Sequence, residues 1–261
     1  MSERIIYAVA DGIATITFNR PQVMNALDPQ TIVEFRAMCE RVELDQDARV
    51  AVLRGAGPAF LAGGDVASFK ENLADFSAKV IPLAGELHRG ILALRRARKP
   101  VIASVHGAVA GAGMSIMMAC DLIVAAEGTQ FSMAYSRIAT SPDGGASWFL
   151  PRLVGYHKAM EMLLLADAAD AAALQALGIV NRVVPGADLE NATLQWARRL
   201  AAGPATAYAE TKALVNYELN QILKNHLDAE AQAFARCAAH ADFAEGVTAF
   251  VDKRKAVYKR H

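Results

Sequence analysis

Alternating apolar and polar residues predict a β-hairpin at the start of the chain. The alternation covers residues 4–19 and is centred on Asp11-Gly12, a dipeptide typical of tight hairpin turns. A helix is predicted to begin at Asp28-Pro29, because Asp suits the N-cap and Pro suits the first turn. Its apolar residues recur at helical spacing, so one face is expected to be buried.

Short strands then alternate with helices through the first two thirds of the chain. The pattern predicts strands at 50–54, 100–105, 122–125 and 179–184, and helices at about 83–98, 147–166 and 188–202. Such alternation is typical of α/β units. The remaining residues have a helical pattern throughout, and Gly203-Pro204 is the best candidate for a break. We therefore expect a core over residues 1–203 and a helical C-terminal region over 204–261.

Composition and charge exclude several classes of function. Of the 261 residues, 54% are hydrophobic, and the 27 Lys and Arg residues balance the 27 Asp and Glu residues. A zero formal charge predicts no nucleic-acid partner and no attraction to an anionic membrane. The sequence has neither a signal-type apolar segment nor a run of about 18 apolar residues, which predicts a cytoplasmic protein. The three cysteines lack metal-ligand spacing, so no metal site is expected.

A glycine-rich turn at residues 107–113 is the first candidate for chemistry. It joins a predicted strand to an apolar helix, so backbone N–H groups at the helix start are free to face an anion. A dinucleotide fingerprint would need a third glycine where Ile116 stands, and no Lys of a phosphate loop is nearby. The oxyanion of a thioester or ester carbonyl remains. The alternative is that the glycines only allow close packing of helix against strand.

A second glycine turn favours the oxyanion interpretation. Gly63-Gly64-Asp65 follows the predicted strand at 50–54, so its N–H groups are expected at the same edge of the sheet. Two such turns together would supply two donors to one oxygen atom.

Motifs along nearly the whole chain occur in one known order. They are Asn19-Arg20-Pro21, Asn25-Ala26-Leu27, Phe60-Leu61-Ala62-Gly63-Gly64-Asp65, Lys99-Pro100-Val101, residues 107–121, Ser141-Pro142-Asp143-Gly144-Gly145, Leu150-Pro151-Arg152 and residues 245–254. In this order they resemble the crotonase superfamily, which includes the enoyl-CoA hydratases and isomerases. The resemblance implies a spiral of ββα units with a helical trimerisation region. It also implies a homotrimer or dimer of trimers, an acyl-CoA substrate, and no metal or redox cofactor.

The same resemblance implies particular site residues. Gly64 and Ala112 would supply the two N–H groups of the oxyanion hole, although the family usually has glycine at Ala112. The substrate-binding residues it implies are Val23, Ala62, Gly64, Asp65, Ala112, Met133, Tyr135 and Lys253. For Asp65 a helix cap is the competing interpretation. For Lys253 the competing interpretation is a solvated basic tail over residues 253–261.

The reaction depends on which acids remain beside the carbonyl. Ser115 and Tyr135 stand where hydratases of the family have two glutamates, and Asp143 is the carboxylate that remains. The stretch around Tyr135 is similar to the isomerases of bacterial phenylacetate degradation. One carboxylate suffices to move a proton between C2 and C4 of an enoyl thioester. Burial is expected to raise the pKa of Asp143. The alternative is that Asp143 only caps the helix that begins near Gly145.

Other functions stay open at this point. His88 has the spacing of the histidine base of 4-chlorobenzoyl-CoA dehalogenases, so His88 and Asp143 together could dehalogenate or hydrolyse a thioester. A lone histidine on an apolar helix face is more often structural. A weak hydratase, and a non-catalytic paralogue that binds CoA or RNA, are the remaining alternatives.

Overall fold

The structure, a computed structural model, describes residues 3–71 and 73–257 and has the mixed α/β class that the sequence predicts. Its strands are β1 (Ile5–Ala10), β2 (Ile13–Phe18), β3 (Val50–Gly55), β4 (Val101–Val105), β5 (Ala108–Ala110), β6 (Leu122–Ala126), β7 (Gln130–Ser132), β8 (Ala169–Asp170) and β9 (Arg182–Val184). Its α-helices are α1 (Pro29–Leu44), α2 (Val66–Lys70), α3 (Phe76–Arg96), α4 (Ala112–Ala119), α5 (Ala146–Val154), α6 (Tyr156–Leu165), α7 (Ala171–Ala176), α8 (Leu189–Ala201), α9 (Ala205–Ala238) and α10 (Ala241–Val251). Single 3-10 turns lie at Pro21–Val23, Leu73–Asp75, Ser136–Ile138 and Gly186–Asp188.

The main sheet places the glycine turns at one edge. Its strand order is β1-β2-β3-β4-β6-β9, and every neighbouring pair except β1 and β2 is parallel. All five residues of β4 are buried, as expected for a parallel strand covered on both faces. A smaller sheet, in the order β5-β7-β8, lies beyond the carboxyl end of β4. The sequence did not predict these short strands.

Two local predictions near the N-terminus are confirmed. β1 and β2 form the hairpin, and both turn residues, Asp11 and Gly12, have the positive φ that a tight hairpin turn requires. Helix α1 begins at Pro29, and the Asp28 side chain accepts a hydrogen bond from Thr31 N at 2.8 Å.

Three predicted elements differ from the structure by more than one or two residues at an end. Helix α3 begins at Phe76, seven residues before the predicted start, and tolerates Pro82 within its first two turns. The predicted helix at 147–166 is two helices, because Gly155 adopts φ +80° between α5 and α6. The final strand is shorter than predicted and covers only Arg182–Val184.

The C-terminal helices cover the chain's own core. Helix α9 packs along α3, and α10 packs on α2. The ring of Phe76 lies 5.4 Å from that of Phe243 and 6.1 Å from that of Phe234, so these aromatic residues are used within one subunit. The division at residue 203 stays a prediction. Across the described part of the chain, no helix is both long and apolar enough to cross a membrane.

Candidate active site

The two glycine turns lie side by side beyond the main sheet. Because β3 and β4 are parallel neighbours, the loops that follow them leave the sheet at the same edge. Leu61 then pairs with β5. Its N–H donates to Ala108 O at 3.2 Å, and its carbonyl accepts from Ala110 N at 3.1 Å. Backbone hydrogen bonds therefore hold the two turns together.

Glycine is required where the turns make their closest approach. A Cβ atom at Gly113 would stand 2.2 Å from Leu61 O, far inside van der Waals contact. Gly63 has φ +97°, and a Cβ atom there would lie 3.6 Å from Ala112 N. The packing role proposed for the glycines is thus met by Gly113. The same close approach brings the Gly63-Gly64 backbone beside the start of α4.

Gly64 and Ala112 each present a backbone N–H with no backbone acceptor among the described residues. Ala112 is the first residue of α4, so its N–H has no acceptor within the helix. At the other turn, Leu27 N donates to Gly63 O and Asp65 N donates to Leu27 O. Neither of these two hydrogen bonds uses the Gly64 N–H. The arrangement is suited to binding an oxyanion.

Both residues line a cavity of about 100 Å³ whose wall is mostly apolar. The apolar wall includes Leu27, Ile32, Val66, Phe69, Phe76, Val80, Leu83, Leu87, Ile138, Phe234 and Phe250. Phe234 and Phe250 come from α9 and α10, so the C-terminal helices help to enclose it. Among the described residues that line this cavity, Asp143 is the one with a carboxyl group.

Ser115, Tyr135 and Asp143 form one buried hydrogen-bond cluster. The Tyr135 hydroxyl donates to Asp143 Oδ1 at 2.9 Å and lies 2.7 Å from Ser115 Oγ. Ser115 Oγ donates to the backbone carbonyl of Asp143 at 2.9 Å. Tyr135 and Asp143 line the cavity, whereas Ser115 lies behind them with no exposed surface. Tyr135 thus holds the Asp143 carboxylate, whereas Ser115 holds the Asp143 backbone carbonyl.

The environment of Asp143 brings the pKa of its carboxyl group near neutral pH. Burial first, and then the negative charge of Glu230, raise the pKa of Asp143 to about 7, although the hydrogen bond from Tyr135 acts in the opposite direction. This confirms the upward direction predicted from the sequence. Burial and the neighbouring Asp143 charge also raise the pKa of Tyr135 well above its usual value, so its hydroxyl stays protonated as a donor.

Glu230, which the sequence analysis did not identify, caps helix α5. The alternative interpretation of Asp143 as the cap of this helix is therefore wrong. Helix α5 begins at Ala146, and the Asp143 side chain makes no capping bond to it. The Glu230 carboxylate, from α9, accepts hydrogen bonds from Gly145 N at 2.7 Å and Ser147 N at 3.1 Å. A glutamate 85 residues away along the chain therefore caps this helix.

His88 lies outside the cavity that holds Asp143. It is buried on α3, and its Nε2 atom has no hydrogen-bond partner among the described residues. Burial lowers the pKa of His88 to about 4, so the ring is neutral at physiological pH. The structure therefore does not bring His88 and Asp143 together over one bound molecule.

The other predicted substrate contacts are partly brought together. Ala62 lines the cavity, and Ala62 N donates to Met24 O, which places Val23 next to this loop. Asp65 accepts a bond from Ser68 N and pairs with Arg20 at 3.1 Å, as a loop organiser would.

Met133 and Lys253 lie away from the cavity lining. Met133 is a core residue with 1% exposure. Lys253 is exposed in the turn after α10 and has φ +52°. The last four residues of the predicted basic tail, 258–261, lie outside the described residues. A role for Lys253 at a CoA phosphate stays a prediction.

Comparison with known proteins gives one consistent result. The sequence model of the Enoyl-CoA hydratase/isomerase family matches residues 8–261. A probable enoyl-CoA hydratase of Rhodobacter capsulatus is 37% identical over 254 residues, which are 96% of this chain and 95% of that protein. The 1,2-epoxyphenylacetyl-CoA isomerase of Escherichia coli K12 is 32% identical, covering 97% of each chain. The crystal structure of an enoyl-CoA hydratase from Mycobacterium avium subsp. paratuberculosis superposes with a TM-score of 0.90 at 31% identity, covering 99% of both chains.

Proposed function

The chain belongs to the enoyl-CoA hydratase/isomerase family, the crotonase superfamily that its motifs resemble, and from this premise we propose that it is an acyl-CoA isomerase. In this proposal Gly64 and Ala112 bind the thioester oxygen and Asp143 moves the proton. The observation that carries the proposal is the Asp143 carboxylate, the one carboxylate among the described residues that line the cavity. Tyr135 donates to it, and the same cavity is lined by Gly64 and Ala112, whose N–H groups have no backbone acceptor among those residues.

The proposed reaction is a shift of a carbon–carbon double bond. The ionised Asp143 carboxylate takes a proton from C2 of a 3-enoyl thioester, and the electron pair moves onto the thioester oxygen to give a dienolate. The N–H groups of Gly64 and Ala112 stabilise the developing charge. Asp143 then returns the proton at C4, and the double bond is left between C2 and C3. A carboxyl group with a pKa of about 7 is suited to both transfers near neutral pH.

Hydration is less well supported by the same geometry. Addition of water needs one group to activate the water and a source for the proton that reaches carbon. The positions of the family's glutamates carry Ser115 and Tyr135, and both are bonded to Asp143. The burial of His88 outside the cavity argues in the same way against a dehalogenase-like or thioesterase-like reaction.

Asp143→Asn tests the proposal. The isosteric amide cannot accept the C2 proton, so we expect kcat for a 3-enoyl-CoA to fall by about 10²–10⁴-fold. Binding of CoA, followed by calorimetry, should stay close to that of the parent. Asp228→Asn on α9 is the matched control, since Asp228 is 67% exposed and pairs with Lys224 at 3.1 Å. Full turnover by Asp143→Asn would refute the assignment.

A substrate panel distinguishes the alternatives. The parent protein is incubated with 3-enoyl, 2-enoyl and aryl-CoA thioesters, and the products are separated by liquid chromatography, which resolves double-bond isomers, and followed by mass. Isomerisation leaves the mass of the thioester unchanged and moves the double bond. Hydration adds one water, and dehalogenation or hydrolysis changes the acyl group or releases it.

We also propose that the protein assembles as a homotrimer or a dimer of trimers. Large apolar side chains on the outer surfaces of α6 and α9 are exposed; they are Tyr156, Leu164, Leu165, Leu214, Val215, Tyr217 and Ile222. An apolar surface of this kind is typical of a subunit interface. Light scattering coupled to gel filtration tests the assembly. An acyl-CoA substrate fits the cytoplasmic location that the sequence predicts.

A further inference from the structure

A second buried carboxylate lies behind the proposed active site and takes no part in the reaction proposed above. Glu230 is 5% exposed, on the face of α9 that meets the start of α5. Its oxygens accept from Gly145 N and Ser147 N, and Ser147 Oγ donates to Oε1. His226 Nε2 lies 3.5 Å from the same oxygen.

These neighbours fit an ionised side chain. Two backbone N–H groups and the Ser147 hydroxyl all donate to it, and a carboxylate without a proton is a pure acceptor. Its position at the N-terminus of α5 is also the end of a helix where negative charge is most stable.

Glu230 is tied to Asp143 through two residues of backbone. Gly144 and Gly145 both have positive φ, at +62° and +84°, and form the turn that leads from Asp143 into α5. Glycine is the residue for which this conformation costs least, so the turn has little rigidity of its own. The bond from Gly145 N to Glu230 supplies that rigidity from outside the turn.

We propose that Glu230 is a positioning residue for Asp143: it fixes the turn that carries Asp143 and places a negative charge beside it. This inference rests on the proposed function, since it assigns Asp143 the proton transfer. It adds a partner whose charge makes Asp143 a stronger base than burial alone would.

The groups that face Asp143 and Glu230 act on the pKa of Asp143 in different directions. On the cavity side, Tyr135 donates to Asp143 and favours its ionised form. On α3, His88 is held neutral by burial and adds no positive charge. On α9, His226 Nε2 lies 3.5 Å from Glu230 Oε1, and Asp228 is an exposed acid. Glu230 is thus the charge that raises the pKa of Asp143, after burial itself.

The test is Glu230→Gln, which keeps an acceptor oxygen but removes the charge. We expect the pKa of Asp143 to fall by about one unit, so the acid limb of the kcat/KM profile moves to lower pH by the same amount. Above this limb, kcat should fall because the base is weaker. Glu230→Asp, which keeps the charge, should retain the parent profile in part, and Asp228→Asn should retain it fully.

A second readout does not depend on turnover. Infrared difference spectra against Asp143→Asn follow the C=O band of the protonated Asp143 carboxyl as pH is raised. If the parent turns over no 3-enoyl-CoA, the proposed function fails while this titration still decides the role of Glu230. If Glu230→Gln cannot be purified folded, His226→Lys places a fixed positive charge against Glu230 and should lower the pKa of Asp143 in the same way. An unchanged Asp143 titration in a folded variant of either kind overturns the proposal.

Discussion

The hydroxyl of Tyr135 donates to Asp143 Oδ1 at 2.9 Å, inside the wall of the apolar cavity. A hydrogen bond to a charged acceptor in a buried site is stronger than one in water, so it stabilises the ionised carboxylate. The bond therefore opposes the upward effect of burial on the pKa of Asp143. Tyr135 is therefore a group that tunes the pKa of Asp143.

Tyr135→Phe removes this bond and should raise the pKa of Asp143. The loss of a hydrogen bond to a charged group costs about 1.5 kcal/mol or more, which corresponds to about one pH unit. The acid limb of the kcat/KM profile should move to higher pH, opposite to the shift expected for Glu230→Gln.

Ser115→Ala is the matched control for Tyr135→Phe. Ser115 Oγ donates to the backbone carbonyl of Asp143 and has no bond to its carboxylate. The profile of this variant should therefore stay near that of the parent. A shift in Tyr135→Phe toward lower pH would contradict the role assigned to the tyrosine.

Asp143 should make the folded protein less stable as pH rises. Its pKa is about 7 in the folded state against an ordinary value of 3.8, so the folded protein holds a proton that the unfolded chain has lost. The contribution of Asp143 to the free energy of unfolding is fully present below about pH 4 and is lost as the pH rises through about 7. Asp143→Asn removes this dependence on pH. Relative to that of the parent, the free energy of unfolding of the variant should therefore rise by about 2–3 kcal/mol from about pH 5 to about pH 8. Urea unfolding of both proteins at the two pH values measures it, and an equal difference at both would be inconsistent with a raised pKa.

His88 has the opposite dependence on pH. Its pKa is about 4 in the folded protein against 6.5 ordinarily, so the unfolded chain binds a proton first as pH falls. The contribution of His88 to stability is therefore lost between about pH 6.5 and pH 4. His88→Leu removes this loss. Relative to that of the parent, the free energy of unfolding of the variant should therefore rise by about 2 kcal/mol as the pH is lowered from about 8 to about 5. Its isomerase activity at pH 8 should remain within about threefold of the parent, whereas a histidine base would cost about 10²-fold or more.

Gly113 and Ala112 should respond differently to one methyl group. Gly113→Ala places a Cβ atom 2.2 Å from Leu61 O, so the two turns must separate. We expect a loss of about 1–3 kcal/mol in stability and of about 10²-fold in kcat. Ala112→Gly removes a methyl group but keeps the backbone N–H, so kcat should stay within about threefold of the parent. Steady-state kinetics and urea unfolding measure both, and a similar loss of kcat in both variants would argue against the oxyanion hole.

Local signals explain which parts were predictable. The hairpin turn at Asp11-Gly12 and the cap at Asp28 each depend on residues adjacent in sequence. β5, β7 and β8 have two or three residues each, too few for a periodic pattern, and they exist because distant segments pair. The break at Gly155 was missed because an isolated glycine in an apolar helical pattern is usually tolerated.

In the site, too, features set by neighbouring residues could be predicted, and features set by distant contacts could not. The glycine turns and Asp143 could be identified because their motifs are local. Glu230 lies in a stretch of α9, residues 228–233, where alanine alternates with polar residues, and its partners Gly145 and Ser147 are more than 80 residues away. Only the packing of α9 against α5 reveals that its carboxylate is buried.

Phe234 should limit the length of the acyl group that the cavity accepts. It is 6% exposed, comes from α9 and lines the cavity, with its ring 6.1 Å from that of Phe76. Phe234→Leu makes the side chain smaller at the wall, so a longer acyl chain can be accommodated. A difference of one or two methylenes in a hydrophobic pocket is worth about 1–3 kcal/mol, so the kcat/KM ratio of a ten-carbon to a six-carbon 3-enoyl-CoA should rise by about tenfold.

Phe243→Leu separates this effect from a general loss of packing. Phe243 belongs to the same aromatic cluster and is fully buried, but it does not line the cavity. Both substitutions should lower the unfolding free energy by about 1–2 kcal/mol, because each removes buried apolar volume from one cluster. Only Phe234→Leu should change the preference between the two substrates. An equal change in both variants would mean that the cluster acts through stability, and that Phe234 does not define the end of the acyl site.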